Sequence, residues 1–278
     1  MNQKLNFAFF GTPEVASETL EILKENRFLP SLIITAPDAR AGRGMKLQES
    51  PAAIFAKENN IECLKLETFA GLEEKLEEAK HDLFIVVAYG KIMPENILNM
   101  PKLGSINVHY SLLPKYRGAS PVESAILNGE TKTGVTIQKM VYQMDAGPIL
   151  AQTETGIFPN ETASELRARL IKTGGELLIK ILPDFLNGKT KEIEQNENEA
   201  TYCKKIQKED GLIDLNDNPI KNYNKFRAYS VWPRIYFLKN GKRIIITDAI
   251  LENNSFVIKK VIPEGKKETT WENFQSTP

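Results

Sequence analysis

Short apolar runs, each stopped by glycine or proline and followed by a stretch with helical spacing, recur through the first half of this 278-residue chain and restrict what it can fold into. The run at 5–10 ends at Gly11-Thr12-Pro13. Val15, Thr19, Leu20, Ile22 and Leu23 then approximate one helical face, with Thr12 placed to cap it and Pro13 at its first position. A β-branched strand is expected at 30–35, a loop from 36 to 51, a helix at 52–59 and a strand at 61–65. An acidic helix at 71–79 and a buried run at 83–89 continue the alternation. Strands alternating with helices imply a largely parallel sheet, covered on both faces, with ligand sites at the strands' carboxyl ends. The first domain therefore reads as α/β and Rossmann-like.

The pattern continues with a strand at 105–109, a helix at 121–127, strands at 134–141 and 148–155, and a long helix at 163–185 that starts at Thr162. A polar stretch at 191–199 then reads as part of a linker. Beyond it a helix at 220–228 precedes strands at 234–239, 243–249 and 256–262, and Asn240-Gly241 is a hairpin signal. The length exceeds the usual single-domain mode of roughly 100 to 150 residues. The expected division is a catalytic domain at 1–187, a linker at 188–203 and a small β-rich module at 204–278. The 36 basic and 36 acidic residues balance, but positions 200–278 hold 14 basic and 9 acidic ones, which makes the tail the basic part. Its surface is a candidate to meet a polyanion. The longest apolar run is far below the roughly 20 residues of a membrane span, and the N-terminus has no signal-peptide pattern, so a cytoplasmic protein without membrane contact is expected. Cys63 and Cys203 stand alone in no metal-like spacing, and no metal is expected.

Of the two histidines, His81 reads as a surface or turn residue. His109 ends a strand in which Asn107 projects to the same face, because side chains repeat with period two. The segment after it, His109-Tyr-Ser-Leu-Leu-Pro-Lys-Tyr-Arg-Gly118, is a proline-bearing turn, and Asp145 sits in a glycine-terminated loop between two later strands. Asn107, His109 and Asp145 can thus converge at one sheet edge.

This constellation resembles the folate-dependent formyltransferases, in which Asn-x-His-x-Ser-Leu-Leu-Pro is followed by Arg-Gly and a later aspartate. Phe10-Gly-Thr-Pro13, the loop Thr35-Ala-Pro-Asp-Ala-Arg-Ala-Gly-Arg-Gly44 with Lys46, and Arg227-Ala-Tyr-Ser-Val-Trp-Pro233 are similar to the branch of that family that acts on charged initiator tRNA. The resemblance implies 10-formyl-tetrahydrofolate as formyl donor, initiator methionyl-tRNA as acceptor, catalysis by Asn107, His109 and Asp145, and a monomer. It also implies a trailing OB-like domain. With only about 29 residues after Ala249, that domain looks shortened relative to a five-stranded barrel. Its folate site would draw on Val87, Ala88, Tyr89, Gly90, Ile92, Ser111, Leu112, Leu113, Pro114 and Tyr142. Contacts to tRNA would come from Arg40, Arg43 and Lys46, and from Lys204, Lys205 and Lys208. Two alternatives stay open: a sugar-nucleotide formyltransferase, which has no use for the basic loop, and a non-catalytic folate- or RNA-binding sensor. The lone Gly42-x-Gly44 is not a dinucleotide fingerprint.

Overall fold

The computed structural model describes residues 5–41 and 44–276. The chain runs β1 (Phe7–Gly11), α1 (Glu14–Glu25), β2 (Leu32–Thr35), β3 (Ala39–Ala41), β4 (Lys46–Gln48), α2 (Pro51–Glu58), β5 (Glu62–Lys65), α3 (Leu72–Ala79), β6 (Leu83–Val87), α4 (Glu95–Leu98) and β7 (Ser105–His109). It continues through β8 (Arg117–Gly118), α5 (Pro121–Leu127), β9 (Lys132–Lys139), β10 (Ile149–Gly156), α6 (Ala163–Leu186), β11 (Tyr202–Cys203) and α7 (Pro219–Ala228). The last elements are β12 (Tyr236–Lys239), β13 (Lys242–Glu252), β14 (Ser255–Pro263), β15 (Thr269–Thr270) and α8 (Trp271–Gln275).

The chain forms two compact units. The first comprises Met1–Arg117, Gly134–Glu154 and Arg169–Thr201, and it is built on a seven-stranded sheet of order β10-β9-β7-β6-β1-β2-β5. β7, β6, β1, β2 and β5 are parallel, and β9 adds to β7 in the antiparallel sense. Every residue of β1, β2 and β6 is buried, as expected of strands covered on both faces. In α1 the buried set Ala16, Thr19, Leu20 and Leu23 repeats at helical spacing. Gly174 and Gly175 let α6 approach closely: a Cβ on Gly174 would meet Val108 Cγ1 at 3.1 Å and Val135 Cγ1 at 3.3 Å, and one on Gly175 would meet Ile22 Cδ1 at 2.7 Å. Val108 thus faces α6, and alternation along β7 turns Asn107 and His109 to the other face.

Thr12 does not cap α1. Pro13 holds the cap position without a side-chain hydrogen bond, and Thr12 Oγ1 instead accepts from Ala36 N at 3.2 Å and lies 3.4 Å from Thr35 Oγ1. Thr35 Oγ1 also lies 2.8 Å from Ser50 Oγ, which caps α2 by accepting from Ala53 N at 3.1 Å. This hydroxyl cluster ties the first turn to the exit of β2. The expected loop after β2 contains a hairpin, with Ala39 opposite Gln48, Arg40 opposite Leu47 and Ala41 opposite Lys46. The polar segment read as a linker carries contacts of its own: Ile193 and Ile149 exchange backbone hydrogen bonds of 2.8 and 3.0 Å.

The second unit comprises Gly118–Thr133, Thr155–Ala168 and Tyr202–Pro278, so the compact units do not follow the single chain boundary expected from the sequence. It contains a four-stranded antiparallel sheet of order β12-β13-β14-β15, with α5 packed on α7. Asn240-Gly241 joins β12 to β13 as a two-residue turn, both residues at positive φ, 52° and 75°. The start of α6 is capped reciprocally: Thr162 Oγ1 accepts from Glu165 N at 3.4 Å, and Glu165 Oε2 accepts from Thr162 N at 2.8 Å. Arg227, buried in this unit, donates to Asn224 Oδ1 at 2.7 Å and to the Glu161 carbonyl at 3.3 Å.

Candidate active site

β7 carries Asn107 and His109 to the carboxyl end of the parallel strands, where β9 joins in the opposite sense. Asn107 pairs with Gln138 and His109 with Thr136. Directly opposed residues of an antiparallel pair share a face, so four polar side chains stand together. Thr136 Oγ1 donates to the Ser111 carbonyl at 2.7 Å and accepts from Leu113 N at 3.2 Å, which fastens the proline-bearing turn to β9. Ser111 Oγ closes that turn on the Lys115 carbonyl at 2.6 Å, and the Leu113-Pro114 bond is cis.

His109 is only 5% exposed. Its Nε2 lies 2.9 Å from the Tyr116 carbonyl, an acceptor with no proton to give, so Nε2 carries hydrogen and donates. Nδ1 faces Asp145 Oδ2 at 3.6 Å, ion-pair distance rather than hydrogen-bond distance. Asp145 Oδ1 accepts from Gln138 Nε2 at 2.9 Å. The Asp145 backbone has φ 52°, in the left-handed region. Among the described residues the half-buried Asn107 side chain makes no hydrogen bond, which leaves its amide available to a ligand.

Behind the aspartate lies a second polar layer that the sequence reading missed. Gln195 Nε2 donates to the carbonyls of Asp145 at 2.8 Å and Gly147 at 2.7 Å, and its Oε1 accepts from Arg117 Nε at 3.1 Å and Nη2 at 2.9 Å. Arg117, fully buried, also donates to Glu197 at 2.7 and 3.0 Å and so holds that carboxyl below the usual carboxylate range.

A family model described as formyl transferase matches residues 4–182. The chain belongs to the formyl transferase family. A second model, formyl transferase C-terminal domain, matches residues 205–263. The methionyl-tRNA formyltransferase of Thermotoga neapolitana is 40% identical over 253 residues, which cover 90% of this chain and 81% of that protein. Among solved structures, an N-formyltransferase from Helicobacter canadensis in complex with folinic acid and dTDP-3-aminofucose superposes with a TM-score of 0.69 at 23% identity, over 90% of this chain and 88% of that one. The methionyl-tRNA formyltransferase of Clostridium thermocellum gives 0.64 at 16% identity, over 93% and 98%. At these identities the two superpositions establish the fold alone.

In this formyl transferase chain the residues expected around a folate fall into two sets. Val87, Tyr89, Ser111 and Leu113 are buried, so their side chains belong to the packing and only their backbone can serve a ligand. Tyr89 packs edge-on to Phe10 and Phe69, and burial pushes its hydroxyl up to about 12. Ala88, Gly90, Ile92 and Tyr142 are exposed, and Leu112 and Pro114 are half-buried. Ala88 and Gly90 both adopt positive φ, 47° and 77°, and make the sharp turn that leaves β6.

Of the residues expected to meet tRNA, Arg43 lies outside the described residues. Arg40 and Lys46 are exposed, and the hairpin register turns them to opposite faces of the ribbon. Lys204, Lys205 and Lys208 are exposed, with Lys204 Nζ 3.4 Å from Asp210. No described group of three or more His, Cys, Asp or Glu is arranged to hold a metal ion, and no described helix is long and apolar enough to cross a membrane.

Proposed function

We propose that the protein transfers the formyl group of 10-formyl-tetrahydrofolate to the α-amino group of methionyl initiator tRNA, yielding N-formylmethionyl-tRNA for translation initiation. The observation that carries this reading is the meeting of Asn107, His109 and Asp145 beside the Ser111–Pro114 turn, in a chain 40% identical to a methionyl-tRNA formyltransferase over 81% of that relative. The available Asn107 amide, the exposed Tyr142 and the backbone at Ala88 and Gly90 suit a flat, hydrogen-bonding ligand edge flanked by apolar surface. The bound donor supplies the formyl group, and its N10 takes up a proton as that group leaves.

The chain's own groups then divide the work. The Asn107 amide donates toward the formyl oxygen, where negative charge develops; a preplaced donor of this kind is worth about a hundredfold or more in rate. His109, with Nε2 committed to the Tyr116 carbonyl, acts through Nδ1. Asp145 Oδ2 lies beside that nitrogen, and the pair can receive the proton that the attacking amine loses and return it to the departing side, through one water where the distance requires. An α-amine with an ordinary pKa near 7.7 to 8.0 is already partly neutral at cellular pH, so the amine needs no covalent enzyme intermediate to react.

One face of the hairpin that carries Arg40 and Lys46, and the basic surface at Lys204, Lys205 and Lys208, are proposed to meet phosphates of the tRNA. The protein is proposed to act as a monomer in the cytoplasm, where charged initiator tRNA is used. The test is incubation with 10-formyl-tetrahydrofolate and either charged initiator tRNA or a dTDP-linked amino sugar. Formylation of the methionyl amine is expected; formylation of the sugar alone would overturn the assignment.

A further inference from the structure

Asp145 reaches His109 from a loop whose backbone is left-handed at a non-glycine residue, an unfavourable conformation that persists where surrounding contacts enforce it. The contacts that enforce it come from a segment which, by composition, looked like a tether. We propose that Gln195 is a positioning residue for the reaction: anchored by Arg117, it fixes the Asp145 loop and, through Gln138, the orientation of the Asp145 carboxylate. The proposal rests on Asp145 serving the transfer as described above.

A guanidinium has five N–H donors and no acceptor, so the two contacts from Arg117 require that Gln195 present its oxygen. The amide nitrogen is thereby turned the other way, onto the Asp145 and Gly147 carbonyls at 2.8 and 2.7 Å, both acceptors only. With both hydrogens of that nitrogen committed, Gln138 Oε1 packs 3.5 Å from its positive end, and the Gln138 nitrogen donates to Asp145 Oδ1, 2.9 Å away. One carboxylate oxygen is thus occupied and the other is left facing His109 Nδ1. Reversing any amide in this series would set oxygen against oxygen in a buried site, so a single orientation is selected. Arg117, Gln138 and Gln195 are all at least nine-tenths buried, and none of them is given a proton to carry in the reaction.

The experiment is a mutant cycle in the full-length protein with charged initiator tRNA and 10-formyl-tetrahydrofolate. Gln195→Glu keeps the size and keeps Arg117 paired, while it replaces the donor that faces the two carbonyls by an acceptor. It is expected to lower kcat by about a hundredfold, the scale for displacing a reacting group by an ångström. KM for both substrates should move by no more than about threefold, because binding groups are untouched. Gln138→Met, which removes the last link without shortening the side chain, is expected to act in the same direction and serves if Gln195→Glu does not fold. In the Asp145→Asn background either change should add little. Wild-type kcat in folded Gln195→Glu or Gln138→Met, or the same fold-loss with and without Asp145, would overturn the proposal. Full activity of Asp145→Asn by itself would instead remove the assignment of Asp145 on which the proposal rests.

Discussion

Replacing Arg117 by methionine tests whether the polar layer behind the site holds it together through an amide or through an ion pair. Methionine follows the arginine stem but lacks the outer end of the guanidinium, so in this fully buried position the change removes hydrogen bonds and leaves a small void. Of the partners described above, Gln195 and Glu197 lose their donor. The Glu197 side chain is 61% exposed, and its carboxylate rehydrates at little cost. Gln195 Oε1 sits in a residue only 9% exposed and cannot do so. A buried acceptor stripped of its partners costs about 1–3 kcal/mol, partly offset because a desolvated guanidinium is also removed. The net expectation is a loss of about 2 kcal/mol, a fall in Tm of roughly 3–4 °C for a chain of 278 residues. Thermal denaturation followed by circular dichroism measures it, with Glu197→Ala as the companion expected to melt closer to the wild type. If Arg117→Met melts like the wild type, or if Glu197→Ala is equally destabilised, the reasoning about Gln195 is wrong.

Other consequences follow from different parts of the structure. Because Arg40 and Lys46 face opposite sides of their hairpin, Arg40→Ala and Lys46→Ala should not act equally; the one that meets phosphate should flatten the log-log salt dependence of tRNA binding by roughly 0.7 to 0.9, with folate affinity unchanged. Equal wild-type slopes in both variants would take the hairpin out of the tRNA interface. Burial pushes the His81 imidazole below its ordinary 6.5, and neither ring nitrogen has a hydrogen-bond partner among the described residues. The unfolded chain therefore binds a proton that the folded one refuses as pH falls below 6.5, so stability is full above that value and declines beneath it. His81→Phe should flatten the plot of Tm against pH over that acidic range, and an unaltered slope would show that His81 is not held neutral. Asp145→Asn keeps the side-chain shape and removes the charge beside His109; kcat should drop steeply with folate affinity kept, and retention of both would make Asp145 a structural residue.

The parts of the fold that rest on periodicity were legible in the sequence. Buried runs such as Leu83–Val87 and the period-two placement of Asn107 and His109 follow from strand geometry, and Asn240-Gly241 has the chemistry of its turn. The convergence of Asp145 on His109 was legible only through the combined motif, because 36 positions and two strands separate them. Gln195 was not legible at all. A single glutamine in a run of Lys, Glu and Asn carries no periodic signal, and its importance lies in which buried acceptors it reaches. Tyr89 misled in the opposite direction: its place just beyond β6 suggested a ligand wall, yet Phe10 and Phe69 draw the ring into the core. His81, read as a surface or turn residue, does lie in the connection between α3 and β6, but it is buried, against Phe84. The hairpin at 39–48 escaped because its strands are three residues each, too short for their alternation to stand out, and Thr12 was read as a cap because the partner it serves, the backbone of Ala36, is distant in sequence.

The central claim is that the side chains meeting at the end of β7 carry the transfer itself. The most direct measurement is the single-turnover rate of formyl transfer to methionyl initiator tRNA by His109→Ala, with enzyme in excess and 10-formyl-tetrahydrofolate saturating, beside a melting curve of the same preparation. The account predicts a protein that melts near the wild-type temperature and transfers the formyl group about a hundredfold or more slowly. A folded His109→Ala protein that transfers at close to the wild-type rate would contradict it.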